Sequence, residues 1–371
     1  MKKADVEHIQ EQVKEIMARH RVSYETGFLA PNPPPLIPRG FGSIDGYFEE
    51  LDKIAYNLPE HIKNGTVYKS MKEIIYYRDR FENFPPQYLY YDYHEKQLFG
   101  FLPWEGKNRF MLVIQMIIHA YFNETLKYKN ADELKRDTTW KYLPPIFSVN
   151  SWRFSQFTGF APTLSYGLYS LWNWEKKDRD KPLALDNINL LHSFTDTIDE
   201  KWFVWIHQII EKEFAPAIPA LLEAMLFASL PNPDGDITRR LTQCLETANG
   251  AFKNTLVILK RMREHCDFKT YFSTIRLFYM FPQNVVFVGV PELQHQAQNF
   301  YGETGGQTPF KHFLRASLGF YPLKDSYFPS MRQYMSRYFR ELIELTLQSA
   351  HIRDYVILRK SNRKLLNAYN A

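Results

Sequence analysis

A chain of 371 residues, 23% charged and 45% hydrophobic, can bury a large core, and its length fits one large domain with a smaller one attached rather than a string of modules. The formal charge of +5, from 46 Lys and Arg against 41 Asp and Glu, is spread along the chain and argues against nucleic acid as a partner; the one dense cluster, Arg359, Lys360, Arg363 and Lys364, reads as a solvated helix end. Two cysteines, Cys244 and Cys266, exclude a disulfide framework or a Cys-based metal site and fit a reducing compartment, while an aromatic content of 16% calls for flat apolar walls somewhere in the molecule.

The chain opens without the apolar core of a signal peptide. Its longest apolar stretch, Met111 to Phe122, is interrupted by Gln115 and His119, so a soluble cytoplasmic protein with no membrane span is expected. Val6, Ile9, Val13, Ile16 and Met17 recur at helical spacing and predict an amphipathic first helix. The proline-rich run Pro31 to Pro38 predicts an extended connector, with a partner ligand as the other reading. Helical patterns follow over Ile44 to Leu58, Lys69 to Phe81 and Arg109 to Leu126, and after Leu143 the prolines Pro144 and Pro145 predict loop.

From Pro162 onward nearly every segment reads as helix, with turns at Asn232 to Gly235, Phe281–Pro282 and Tyr321–Pro322, and with Val285 to Val290 alone strand-like. Asp236 predicts the cap of a long helix running to His265. A second long helix is expected over Met331 to Leu347, where Met331, Tyr334, Met335, Tyr338, Phe339 and Leu342 form one stripe. The expectation is an all-α protein: a smaller, mainly helical N-terminal domain over 1–154 and a large helical bundle over 155–371.

Three features carry candidate chemistry. On the helix Glu200 to Phe214, the residues Phe203, Ile206, His207, Ile210 and Phe214 share one face, which puts a histidine among core-facing positions; it is either a core imidazole satisfied by a carbonyl or a pocket group. Arg276 sits in the aromatic segment Tyr271, Phe272, Ile275, Leu277, Phe278, Tyr279, and a guanidinium there needs an anion: an internal Asp or Glu, or a ligand carboxylate held by its planar fork. The loop Tyr301 to Pro309 holds Thr304, Gly305 and Gly306, where backbone can approach a ligand closely. Thr308 and Pro309 then start a helix whose amide groups favour an anion; a plain connecting turn is the alternative. Neither the dinucleotide-binding glycine pattern nor a P-loop matches.

The run LSYGLYSLWNWEKKD over 164–178, followed by Lys181 to Leu183, Asn187 and Ser193–Phe194, resembles the indoleamine 2,3-dioxygenase family. The later motifs keep that family's order: the helix from Lys201 to Ile218, the segment around Arg276, Val286 to Gly289, the Gly-Gly-Gln loop, and the ending Arg353 to Val356 and Ala368 to Ala371. The resemblance covers about residues 155 to 371. It implies a haem b enzyme that takes an indole substrate and O2, and that forms a homo-oligomer in some relatives. Arg276 then matches the residue that holds the substrate carboxylate. Phe203 and Tyr166 match aromatic residues lining the pocket above the haem, with Phe272 beside them, and Thr304, Gly305 and Gly306 match the loop that closes over substrate and haem edge. His207 stands where this family usually has serine; the related tryptophan 2,3-dioxygenases have a distal histidine that meets the indole N–H.

The resemblance places the proximal histidine beyond Ala371. His312 is a weaker fallback ligand for the iron, and His351 reads as a helix-end residue. Three functions follow as expectations: a dioxygenase opening the indole C2–C3 bond of tryptophan or a related indoleamine; a haem enzyme like monodechloroaminopyrrolnitrin synthase that rearranges a substituted tryptophan; and a non-enzymatic helical ligand-binding protein without haem.

Overall fold

The computed structural model describes residues 3–30, 43–76, 103–127, 141–230, 235–320, 327–349 and 352–371. The proline-rich run, the turn at Tyr321–Pro322 and His351 lie outside them. The fold is all-α, as the sequence predicts. Helices α1 (Lys3–Arg19), α2 (Ser43–Tyr56), α3 (Leu58–Asn64), α4 (Val67–Tyr76) and α5 (Trp104–Lys127) lead into strand β1 (Tyr142–Leu143) and helices α6 (Pro145–Thr158) and α7 (Tyr166–Tyr169). Next come α8 (Ile198–Phe214), α9 (Ala217–Ala228) and α10 (Gly235–Lys260), then β2 (Val285–Phe287) and β3 (Ala297–Gln298). Helices α11 (Pro309–Ser317), α12 (Tyr327–Met331), α13 (Arg337–Ser349), α14 (Ile352–Leu358) and α15 (Arg363–Asn370) complete the chain.

The α1 stripe is buried as patterned, with Val6, Ile9, Val13 and Met17 inside. One core cluster runs from Ile9 to Ala368, so the N-terminal helices and the bundle share a single apolar interior. The strand-like Val285 to Phe287 is the middle of a three-stranded sheet, parallel to β1 and antiparallel to β3. The cluster Arg359 to Lys364 is solvated, with Asn362 capping α15 through the amide of Leu365.

Three local expectations fail for identifiable reasons. The prolines after Leu143 start α6 rather than a loop: Pro145 occupies the first helical position, where its missing N–H costs nothing. The helix expected over Met331 to Leu347 is broken. A short 3-10 turn, Arg332–Tyr334, ends in extended Met335, and α13 then starts afresh with the Ser336 hydroxyl accepting from the Phe339 amide. Asp236 lies inside the first turn of α10, bound to Arg239 and Arg240 rather than capping, and the helix tightens to a 3-10 turn at Arg261–Glu264 before His265.

Candidate active site

Helix α8 forms because Thr197 caps it, its hydroxyl accepting from the Glu200 amide, with Asp199 and Glu200 at the positive end of the helix dipole. Its period places Phe203, His207 and Glu211 one turn apart on one face. Against that face lies Tyr166 of α7, whose ring meets His207 edge-on at 5.9 Å and whose hydroxyl donates to Glu211 Oε1 at 3.0 Å. Phe203 packs on His207 at 4.4 Å and stacks on Tyr271 at 4.4 Å.

The backbone from Tyr271 to Tyr279 is not a regular helix: a π turn over Tyr271–Ile275 passes directly into a 3-10 turn over Arg276–Tyr279. That change of pitch re-aims successive side chains. It turns Tyr271 onto Phe203, whereas Phe272 is 54% exposed and packs on Phe268 and Tyr271. Of the two aromatic neighbours, the structure therefore brings Tyr271 to the wall that the sequence reading gave to Phe272. Arg276 donates from Nη1 to the Glu303 carbonyl at 2.8 Å and lies 3.6 Å from the Glu303 carboxylate, so an internal acid does face it.

The loop bearing Thr304 is tied to the pocket by Gln307, which accepts from the Tyr166 amide at 2.8 Å and donates to the Gly302 carbonyl at 2.9 Å. Gly302 is compulsory, since a Cβ there would lie 1.7 Å from the Tyr279 carbonyl oxygen. At Gly305 a Cβ would meet only Lys311 Nζ, at 3.6 Å, so this stretch of backbone is open. At Gly306 it would run into the Tyr327 ring. The Thr304 hydroxyl accepts from the Gly306 amide. Thr308 precedes α11 as predicted, but its hydroxyl donates back to the Gly305 carbonyl at 2.7 Å instead of capping the helix.

The electrostatics of the pocket follow from burial. His207 Nδ1 contacts the Phe203 carbonyl at 2.7 Å, and since a carbonyl only accepts, Nδ1 carries the proton. Burial lowers the imidazole to about 4 against the opposing effect of that bond, so the ring is neutral at pH 7 and Nε2 is a bare acceptor. Burial pushes Glu211 up to about 8, although Tyr166 and Lys311 oppose it, and pushes Glu303 up to about 7 against Arg276 and Lys311. Lys311 is lowered by the protein crowded around it and held up by Glu211 and Glu303. Glu211 Oε2 is buried with no hydrogen-bond partner.

The sequence assigns no site role to Glu211, Glu303 or Lys311, and it shows Tyr271 only as one member of the aromatic segment around Arg276. A usable signal existed for Glu211, one turn beyond His207 on the same face; Glu303 and Lys311 sit on a loop and a helix start whose direction no periodicity announces. His312 is buried, its Nε2 held to the Gly306 carbonyl at 2.8 Å and its ring against Phe328 at 4.9 Å, which makes it a brace for the loop. Among the described residues no group of three or more His, Cys, Asp or Glu could hold a metal ion.

Phe203 and Tyr271 are half-buried against the core, and two cations, Arg276 and Lys311, stand within electrostatic reach of Glu303 beside them. No helix among the described residues is long and apolar enough to cross a membrane.

Comparison with known proteins supplies an independent line. A family model described as indoleamine 2,3-dioxygenase matches residues 104–371. The chain is 24% identical over 369 residues to indoleamine 2,3-dioxygenase 1 of Rattus norvegicus, covering 96% of this chain and 80% of that protein. It is 24% identical over 358 residues to a 6-hydroxytryptophan 2,3-dioxygenase of Fusarium equiseti, covering 94% and 78%, and 27% identical over 232 residues to the Saccharomyces cerevisiae indoleamine 2,3-dioxygenase, covering 57% and 51%.

Proposed function

Because the chain belongs to the indoleamine 2,3-dioxygenase family, we propose that it is a haem b dioxygenase that inserts both atoms of O2 across the C2–C3 bond of an indole such as tryptophan. The observation that carries this reading is the protonation pattern of His207. An indole N–H is a lone donor on a flat apolar ring, and Nε2 of a neutral His207 beside Phe203 is a lone acceptor on an aromatic wall.

When bound, haem supplies the ferrous iron that activates dioxygen. The chain's own residues position the other reactant. Phe203, Tyr166 and Tyr271 confine the ring, His207 fixes the direction of its nitrogen, and Arg276 offers its fork to a carboxylate. The loop Thr304 to Gly306, with open backbone at Gly305, lies where it can cover the substrate.

The test is product analysis after turnover of tryptophan under isotopically labelled dioxygen. A ring-opened product carrying both labelled atoms supports the dioxygenase. A rearranged product without them replaces it with chemistry like that of monodechloroaminopyrrolnitrin synthase, and binding without conversion leaves a ligand-binding protein.

A further inference from the structure

Glu303 is 3% exposed, yet its carboxyl group receives no hydrogen bond from any described residue; its one ion-pair partner, Arg276, stands at 3.6 Å. A buried carboxylate ordinarily collects donors, and one left without them is destabilised. The groups within electrostatic reach of it are Tyr166, Tyr271, Arg276 and Lys311 around the site, together with buried Tyr279. Glu211 is in a similar state across Lys311, with Oε2 buried and unpartnered. The pocket is thus short of donors beside its one forked cation.

A ligand that brings three N–H donors on one positive charge, next to a carboxylate, would complete both groups. We propose that Glu303 and Arg276 form a two-part head-group subsite for a zwitterionic α-amino acid: Arg276 takes the carboxylate and Glu303 takes the ammonium. This rests on the indole-pocket reading and adds to it a residue that reads the amino group. Glu303 also tethers Arg276 through its backbone carbonyl, so Glu303→Gln preserves that tether while removing the charge.

Calorimetric titration of the full chain with L-tryptophan, tryptamine and indole-3-propionate, for the wild type and Glu303→Gln, separates the outcomes. The proposal predicts that Glu303→Gln weakens L-tryptophan and tryptamine by about tenfold while indole-3-propionate binds equally well or better, since the charge assistance to the ammonium hydrogen bond is lost only with the amines. Equal weakening of all three, or none, overturns it while leaving the indole pocket standing. No binding of any of the three to the wild type removes the indole reading itself, and the proposal with it.

Discussion

Two carboxylates on α8 are equally buried and opposite in condition. Glu200 accepts from the amides of Phe194 and Thr195, each at 2.7 Å, from the Thr195 hydroxyl at 2.6 Å and from the Tyr169 hydroxyl. Glu211, three turns on, accepts from Tyr166 alone and leaves Oε2 without a partner. The histidines repeat the contrast. His119 uses both ring nitrogens, Nδ1 toward the Phe278 carbonyl at 2.8 Å and Nε2 accepting from the Leu164 amide at 3.1 Å, whereas His207 commits only Nδ1. In these two pairs the member with complete bonds, Glu200 or His119, holds the framework together, and the member with a free acceptor, Glu211 or His207, stands at the proposed ligand site.

The sharpest way to break this comparison is Glu200→Ala. It strands two amides and two hydroxyls in the interior and should cost about 3–5 kcal/mol of stability by denaturant titration, while Glu211→Gln, which keeps an acceptor for Tyr166, should cost under about 1 kcal/mol. Comparable losses from the two would erase the distinction.

Acid should act next on two fully buried histidines away from the site, His119 and His192. Burial holds His119 and His192 at about 4, so between pH 6.5 and 4 the unfolded chain binds protons that the folded one refuses. Stability therefore falls as pH drops through that window, by up to about 1.4 kcal/mol per pH unit for each histidine. His119→Gln should flatten the acid limb of a stability–pH curve by one such increment, and an unchanged slope would count against the assignment.

On the pocket side, Arg276→Leu should weaken L-tryptophan by about ten- to a hundredfold in a binding titration and tryptamine far less, with haem uptake spared. The smallest effect belongs to His207→Leu. It should weaken L-tryptophan by about three- to tenfold while leaving the affinity for N1-methyltryptophan, which has no N–H to offer, unaltered.

Much of this was legible in the sequence where periodicity speaks. The faces of α1 and α8, the start of α11 at Pro309 and the strand at Val285 follow from spacing and proline chemistry, whereas the two-residue strands β1 and β3 are too short to leave a pattern. Legibility ended where a local rule met a tertiary choice. The second of two prolines can open a helix as well as close a loop, which is what Pro145 does. A heptad-like stripe at Met331 to Leu342 says nothing of the break that Ser336 makes by starting a new helix. Phe272 and Tyr271 are adjacent in sequence, and only the π turn decides which reaches Phe203. Arg276 plainly needed an anion, but its partner, Glu303, is 27 residues away on a loop whose approach is set by Gly302 against Tyr279.

The measurement that bears most directly on the central claim is the absorption spectrum of the protein produced with haem supplied, reduced and then exposed to carbon monoxide and to L-tryptophan. A Soret band that shifts with carbon monoxide, and shifts again with L-tryptophan in the wild type but less in His207→Leu, is the predicted result. A protein that acquires no Soret band, or one whose band ignores L-tryptophan, would contradict the account.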